Sequence, residues 1–194
     1  MRIRSQFWTA PNQITLLRLL FVPFVMMNVL DGHYGWALGL FVAAGISDAL
    51  DGTLARWLKQ RTVLGEYLDP IADKLLLSTL FLTLSFVHQI PWRYTVLVFS
   101  RDLSIVAIAG VLYVTVGIRD FRPSVFGKMN TFAQISAVFF VLLAQVTDEN
   151  WVRVARKSFL YATFAFTIVS AVHYIFLVGQ RIHAASEVRS ASQQ

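Results

Sequence analysis

The chain has 194 residues, of which 56% are hydrophobic and only 14% are charged, with a mean hydropathy of +0.59. Soluble domains carry about 25% charged residues, so this composition excludes an ordinary soluble protein and indicates a membrane protein. The chain has no cysteine, which excludes disulfides and thiolate metal sites. The net charge of +6 could suit nucleic acid, but no basic stripe interleaved with stacking aromatics occurs; we therefore predict anionic membrane lipid as the partner and no nucleic acid.

Apolar runs of about 20 residues, the length that crosses a bilayer, recur along the chain. They predict an all-α integral membrane protein, with a short N-terminal interfacial segment followed by six transmembrane helices. The spans are predicted at residues 12–31, 34–58, 68–88, 92–117, 125–147 and 153–179. Residues 1–183 are expected to form a single membrane domain, and residues 184–194 a polar C-terminal tail.

Prolines mark particular positions along these helices. Pro11 and Pro70 are each predicted to lie in the first turn of a helix, where an N–H is not needed. Pro23 falls inside the first span, where a neighbouring helix can satisfy the carbonyl that proline leaves free.

The basic residues of the loops predict the orientation of the bundle. One side collects Arg2, Arg4, Arg56, Lys59, Arg61, Arg119, Arg122, Lys128, Arg181 and Arg189. The other side collects Arg93, Arg153, Arg156 and Lys157, and the last three are diluted by the acids Asp148 and Glu149. Because cytoplasmic loops are enriched in Lys and Arg, both termini are expected to be cytoplasmic. The N-terminus resembles neither a cleaved signal nor a transit peptide, so we expect a bacterial inner (plasma) membrane.

Two pairs of carboxylates lie within this apolar chain. Asp48 and Asp51 are three residues apart, and Asp69 and Asp73 are four apart, so each pair shares one face of a helix. Ionisable groups in a membrane protein are costly and usually line a polar interior. Two such pairs can form an oxygen cage for hard divalent cations, and the loop charges predict that this cage faces the cytoplasm.

The acids belong to a longer pattern, D-x-x-D-G-x-x-A-R-x8-G-x3-D-x3-D, which runs from Asp48 to Asp73. This pattern resembles the signature of the CDP-alcohol phosphatidyltransferases at every fixed position. The resemblance extends from the Pro-Asn-Gln-Ile-Thr-Leu-Leu-Arg stretch at residues 11–18 to the sixth span. It implies six transmembrane helices, a homodimer, and a cytoplasm-facing cavity that holds two divalent cations, Mg²⁺ or Mn²⁺. It also implies transfer of a phosphatidyl group from CDP-diacylglycerol to an alcohol, with release of CMP.

The resemblance implies a role for each position of the pattern. Asp48, Asp51 and Asp69 would be metal ligands, and Asp73 would both touch a metal and act as the general base. The positions expected to bind the CDP-lipid are Gly52, Ala55, Arg56, Gly65, Asn12 and Thr15. The small residues would allow close approach of the nucleotide, and Arg56 would offer a planar fork to a phosphate.

Simpler interpretations remain for some of these residues. The acids could merely pair with neighbouring basic residues at the membrane edge, although such pairs need no fixed glycines. The small residues could serve helix packing instead of nucleotide binding. A transporter with cation-binding acids is the alternative class, but the inverted repeats and broken helices typical of that class are missing from the sequence.

The acceptor alcohol is predicted from fainter signals. The sequence resembles the glycerol-type branch of the family, whose acceptor is phosphatidylglycerol or glycerol 3-phosphate. After Arg101-Asp102, and at Asn130, the chain has uncharged residues where glycerol 3-phosphate enzymes tend to have a second arginine and a second lysine. We therefore predict phosphatidylglycerol, giving cardiolipin, with glycerol 3-phosphate as the alternative. The cations that could hold the acceptor phosphate, or merely follow the positive-inside bias, are Arg119, Arg122 and Lys128.

Two further polar features are interpreted structurally. Arg101 and Asp102 are expected to pair with each other inside the bundle. Lys74 is expected to extend its ammonium group towards the lipid headgroups.

Overall fold

The computed structural model describes the backbone of residues 10–58, 63–116 and 125–191, and the side chains of residues 19–48, 74–104 and 127–172. Throughout that part of the chain the only regular structure is helical, which confirms the predicted all-α class. The helices are α1 (Ala10–Leu30), α2 (Tyr34–Leu58), α3 (Val63–Phe86), α4 (Trp92–Val116), α5 (Val125–Val146) and α6 (Asn150–Ala191).

Helix α3 begins earlier than the sequence predicted. It starts at Val63, so Pro70 lies inside the helix, whereas the sequence predicts that it lies in the first turn. Pro11, in contrast, is the second residue of α1, and Pro23 lies within that helix, both as expected. The earlier start places Asp69 and Asp73 well inside regular helix, where four-residue spacing brings side chains onto one face.

The helices pack as an up-and-down bundle. Helix α1 packs against both α2 and α3, α5 packs against α2 and α6, and α4 packs against α3 and α6. The core between them is apolar and includes fully buried Val29, Phe81, Leu84 and Val141. The two helices that carry the predicted acids are α2 and α3, and both therefore pack against α1.

Hydrogen bonds around the α3–α4 turn establish which helix ends lie together. Gln145, at the end of α5, donates to the side chain of Gln89 over 2.6 Å, and Arg156, near the start of α6, donates to the carbonyl of Gln89 over 2.6 Å. The end of α5 and the start of α6 therefore lie beside the α3–α4 turn. The starts of α1, α3 and α5 and the end of α2 lie at the opposite end of the bundle.

Two helices end in the same way, with a residue of positive φ. After α1, Gly32 has φ 74°, its N–H bonds the carbonyl of Val29, and the N–H of His33 bonds the carbonyl of Asn28. After α3, His88 has φ 62° with the equivalent pair of bonds. This pair of backbone hydrogen bonds is the Schellman motif, which satisfies carbonyls that the helix end leaves free.

Replacing Gly32 with alanine is expected to lower the free energy of unfolding by about 1 kcal/mol or slightly more, because an L-residue is strained at this φ. A Cβ at Gly32 would meet nothing within 4 Å, so the backbone alone causes the effect. Gly35 is the matched control, since it lies in regular helix and also has open space around it. Gly35→Ala should raise stability by up to about 1 kcal/mol. Thermal unfolding of both variants in the same detergent measures the difference, and equal effects would contradict the strain argument.

The part of the outer surface that the described side chains form is strongly apolar. Large side chains that are more than 60% exposed include Trp36, Phe86, Leu103 and Phe132. Among the residues whose side chains are described, Gly127–Val146 is long and apolar enough to cross a membrane, and Leu19–Leu30 and Lys74–Phe86 are shorter apolar segments. An apolar exterior of this kind suits a lipid environment.

Candidate active site

The predicted acids lie on two helices at one end of the bundle. Asp48 and Asp51 are in the last part of α2, and Asp69 and Asp73 are in the first part of α3. The backbone is helical at all four positions, so each pair lies on one helix face. The Asp48 side chain is half-buried, whereas the side chains of the other three acids lie outside the described residues.

The acid positions suit a hard divalent cation. Carboxylate oxygens are the ligands that Mg²⁺ prefers, and half-burial of Asp48 partly shields its carboxylate from competing water. Among the side chains that the structure describes, no three His, Cys, Asp or Glu residues cluster together. Three of the four predicted ligands fall outside that set, so the metal site stays a prediction.

The remaining predicted site positions whose backbone is described lie at the same end of the bundle. Gly52, Ala55 and Arg56 are on α2, Gly65 is on α3, and Asn12 and Thr15 are in the first turns of α1. Their side chains also lie outside the described residues. Arg119 and Arg122 fall in the segment between α4 and α5 whose backbone is not described, while Lys128 is exposed in the first turn of α5.

A charged network links three helices beside the predicted base. The ammonium group of Lys74, the residue after Asp73, donates to both carboxylate oxygens of Asp102 over 2.8 Å. Arg101 Nη1 also donates to Asp102, over 2.7 Å, and Arg101 Nη2 donates to Ser170 Oγ over 2.9 Å. The predicted pairing of Arg101 with Asp102 is confirmed.

The predicted position of Lys74 was wrong. Its ammonium group does not extend to lipid headgroups, because it is bound by a carboxylate on the adjacent helix. The side chain is 38% exposed, compared with 15% for Asp102 and 7% for Arg101. The network therefore ties the helix turn that follows Asp73 to α4, and through Arg101 to α6.

A second polar feature, which we call the α5–α6 seam, was not predicted. It comprises Asn130 and Gln134 on α5 and Thr163 and Thr167 on α6, all fully or almost fully buried. Thr167 donates to Asn130 Oδ1 over 2.9 Å. The Asn130 amide nitrogen, both amide atoms of Gln134 and Nε of Arg101 have no partner among the described residues.

The seam could have been found from one signal in the sequence. Asn130 and Gln134 are four residues apart in an otherwise apolar span, so they share one helix face. Polar side chains on such a face usually bond across to a neighbouring helix. Buried amides without protein partners are costly, so the seam is a place where water or a polar ligand would be held.

An apolar groove adjoins the charged network. Its volume is about 660 Å³, and it lies along α3 and α4, with Leu82, Val96, Phe99 and Leu103 among the residues that line it. Lys74, Arg101 and Asp102 also line the groove. It can therefore hold an apolar chain while a polar group contacts charged residues.

The described fold is a helical bundle with an apolar exterior, and two of its helices carry paired acids at one end. This combination is typical of a membrane enzyme. The profile of the CDP-alcohol phosphatidyltransferases matches residues 8–175, and the chain belongs to this family. The resemblance drawn from the sequence pattern is thereby confirmed. The family is membrane-bound and uses divalent cations.

Several relatives are similar over most of this chain. The Homo sapiens protein named cardiolipin synthase (CMP-forming) is 31% identical over 192 residues, which cover 90% of this chain and 62% of the human protein. The protein named probable phosphatidylglycerophosphate synthase of Mycobacterium tuberculosis (strain ATCC 25618 / H37Rv) is 32% identical over 181 residues, 89% of this chain and 82% of that protein. A putative cardiolipin synthase of the same strain is 31% identical over 144 residues, 74% of this chain and 68% of that protein. The chain thus spans less than two thirds of the length of its human relative.

Proposed function

We propose that the protein transfers a phosphatidyl group from CDP-diacylglycerol to a glycerol-containing alcohol and releases CMP. The observation that carries this proposal is the complete acid pattern, located on two helices at one end of the bundle in a member of this family. In the reaction, the acceptor oxygen forms a bond with the β-phosphorus of the CDP-lipid. The bond from that phosphorus to the bridging oxygen breaks, and CMP leaves with the electron pair.

The acids take separate roles in this proposal. Asp48, Asp51 and Asp69 would hold two divalent cations, Mg²⁺ or Mn²⁺, with Asp73 also in contact. When bound, such cations supply the positive charge that stabilises a diphosphate and its leaving group. Asp73 would accept the proton of the acceptor hydroxyl, which makes it the catalytic residue.

The nucleotide end of the donor would lie among the small residues of the pattern. Gly52, Ala55 and Gly65 would let the cytidine and diphosphate approach the backbone, and Arg56 would bond a phosphate. Asn12 and Thr15 begin the helix that packs against both α2 and α3, so their position supports a role in the cytidine pocket.

Phosphatidylglycerol is the acceptor that the observations favour. Asn130, at a position where a lysine would suit glycerol 3-phosphate, is fully buried and bonded to Thr167 in an uncharged seam. The groove beside Lys74 can take an acyl chain, of the CDP-diacylglycerol donor or of phosphatidylglycerol, so it is compatible with a lipid acceptor. Arg119, Arg122 and Lys128 would then hold the single phosphodiester of the acceptor.

The membrane setting forms part of the same proposal. Six helices would span the bilayer with both termini in the cytoplasm of a bacterium, so that the acids of the inner-membrane enzyme face soluble metal ions. A homodimer, as the family resemblance implies, is proposed as the working unit.

Acceptor competition tests the proposed reaction. Purified protein with CDP-diacylglycerol, Mg²⁺ and equal concentrations of phosphatidylglycerol and glycerol 3-phosphate should release CMP and yield cardiolipin, as read by product mass. Omitting both acceptors should abolish CMP release, and this omission is the control for simple hydrolysis. Exclusive formation of phosphatidylglycerophosphate would overturn the proposed acceptor. A lack of CMP with every glycerol-containing alcohol would overturn the enzyme assignment.

A further inference from the structure

The end of the bundle remote from the acids carries a cluster of cations around a pocket. The axial distance along α3 from Asp73 to Phe86 is about 20 Å at about 1.5 Å per residue. Beyond Phe86, the α3–α4 turn and the start of α6 enclose a pocket of about 420 Å³. Its basic lining residues are Arg93, Arg153, Arg156 and Lys157.

This concentration of positive charge runs against the loop-charge bias. The pocket lies on the side predicted to be non-cytoplasmic, where Lys and Arg are normally depleted. Four cations around one pocket therefore need a local reason. Binding of an anion is such a reason, since Arg and Lys side chains are the usual phosphate ligands in proteins.

Two exposed acids, Asp148 and Glu149, lie in the loop beside the cluster and only partly offset its four positive charges. Within the part of the chain whose side chains are described, Asp148 is the acid at ion-pair distance, 3.5 Å from Arg153, and its side chain is 96% exposed. Arg93 lies over the ring of Tyr94, with 5.3 Å between the guanidinium carbon and the ring centroid. Arg156 donates to the carbonyl of Gln89, and its other N–H groups bond no further residue in the described part of the chain, so they can bond a ligand.

The pocket is also held in shape by neighbouring helices. The Gln89 carbonyl that receives the Arg156 bond belongs to the α3–α4 turn, and the Gln89 side chain is bonded by Gln145 of α5. Tyr94 is buried beneath the pocket and packs edge-on against Phe164. Arg156 is therefore oriented by the fold before any ligand arrives, which reduces the entropy lost on binding.

Exposed tryptophans at the same end indicate the headgroup level of a bilayer. Trp36, Trp92 and Trp151 lie within the first turns of α2, α4 and α6, the helices that start at this end of the bundle. Their exposed fractions are 74%, 48% and 60%. Tryptophan is enriched where membrane meets water, so the cations lie at the depth of lipid phosphates.

We propose that this pocket binds the phosphate of an anionic phospholipid headgroup in the leaflet remote from the acids. Arg156 and Lys157 supply the main contacts, Arg93 and Arg153 close the rim, and Leu160 and Tyr161 contact the glycerol backbone. The site differs from the catalytic one in position and uses none of its residues. The proposal requires a membrane-spanning bundle but does not depend on the phosphatidyl-transfer reaction.

Photo-labelling tests the site directly. The full chain in nanodiscs of phosphatidylcholine receives a trace of phosphatidylglycerol with a photoreactive group near its headgroup, and labelled peptides are identified by mass spectrometry. We expect labels in residues 91–94 and 153–161. The double variant Arg156→Gln/Lys157→Gln should lose about tenfold or more of this labelling, because it removes the charge-assisted hydrogen bonds to the phosphate. The double variant Arg156→Lys/Lys157→Arg keeps both charges and should retain most of it.

Each other outcome contradicts the proposal. Equal labelling by a phosphatidylcholine probe would show that the pocket does not select an anionic headgroup. Labelling that survives in the Gln double variant, with thermal unfolding unchanged, would exclude the named cations. Displacement of the label by millimolar inorganic phosphate would assign the pocket to a soluble phosphate instead of a lipid. CMP release, measured in parallel, should be independent of the labelling, so failure of one proposal is distinguishable from failure of the other.

Discussion

Asp73→Asn is expected to lower kcat for CMP release by about 10² to 10⁴-fold, the usual contribution of a general base. Asparagine has nearly the same shape as aspartate but cannot accept the acceptor proton. The KM for CDP-diacylglycerol should change much less than kcat, because Asp48, Asp51 and Asp69 remain to hold the cations. Steady-state CMP release at saturating phosphatidylglycerol measures kcat and the KM for CDP-diacylglycerol. Equilibrium binding of CDP-diacylglycerol measures its affinity independently of turnover.

Asp48→Asn is the matched control, since it removes a carboxylate that we assign to metal binding and not to proton transfer. This variant should require a higher Mg²⁺ concentration for half-maximal activity, and excess Mg²⁺ should restore part of its kcat. Excess Mg²⁺ should leave Asp73→Asn inactive. Restoration of Asp73→Asn by Mg²⁺ would mean that Asp73 acts as a ligand alone, and the proposed base would then be wrong.

The helices could be predicted from the sequence because apolar runs of bilayer length leave few other ways to satisfy the backbone. The start of α3 was missed for a local reason. Gly65 and Pro70 both weaken a helical prediction, yet the helix begins at Val63 and runs through them. Intrinsic propensity is a weak guide where packing against another helix, here α1, stabilises the segment.

Side-chain contacts were predictable only between residues that are close in the sequence. Arg101 and Asp102 are neighbours, and their pairing was anticipated. Lys74 reaches Asp102 across 28 positions of sequence, and that contact depends on how α3 and α4 are rotated relative to each other. The seam partner Thr167 is 37 residues from Asn130, so its contact likewise depends on packing that one sequence does not reveal. The acid pattern could be found in advance because its positions are close together in the sequence.

Asp102→Asn is expected to lower the free energy of unfolding by about 3 kcal/mol, which is the lower end of the range found when one partner of a buried ion pair is removed. The reason is Arg101, which is buried and would keep its charge without a counter-charge. Lys74→Gln should cost about 1 kcal/mol or less, because Lys74 is more than a third exposed and water screens its charge. Ser104→Ala is the control on the same helix, since its hydroxyl is exposed and, among the described residues, bonds the Ser100 carbonyl. Unfolding in mixed micelles compares the three variants, and an Asp102→Asn effect no larger than that of Ser104→Ala would contradict the network.

Activity measurements distinguish a role of this network in positioning the proposed base from a purely structural role. Lys74 follows Asp73 directly and fixes the rotation of that helix turn against α4, so releasing it should misplace the proposed base. A shift of about 1 Å at a reacting group can lower a rate by about 10²-fold. Lys74→Gln should therefore lower kcat by about tenfold or more at a temperature where the variant is fully folded, with little change in KM for the donor. Lys74→Arg keeps the charge and should recover most of the lost kcat. If kcat instead follows stability alone across the variants, Lys74 only holds the bundle together.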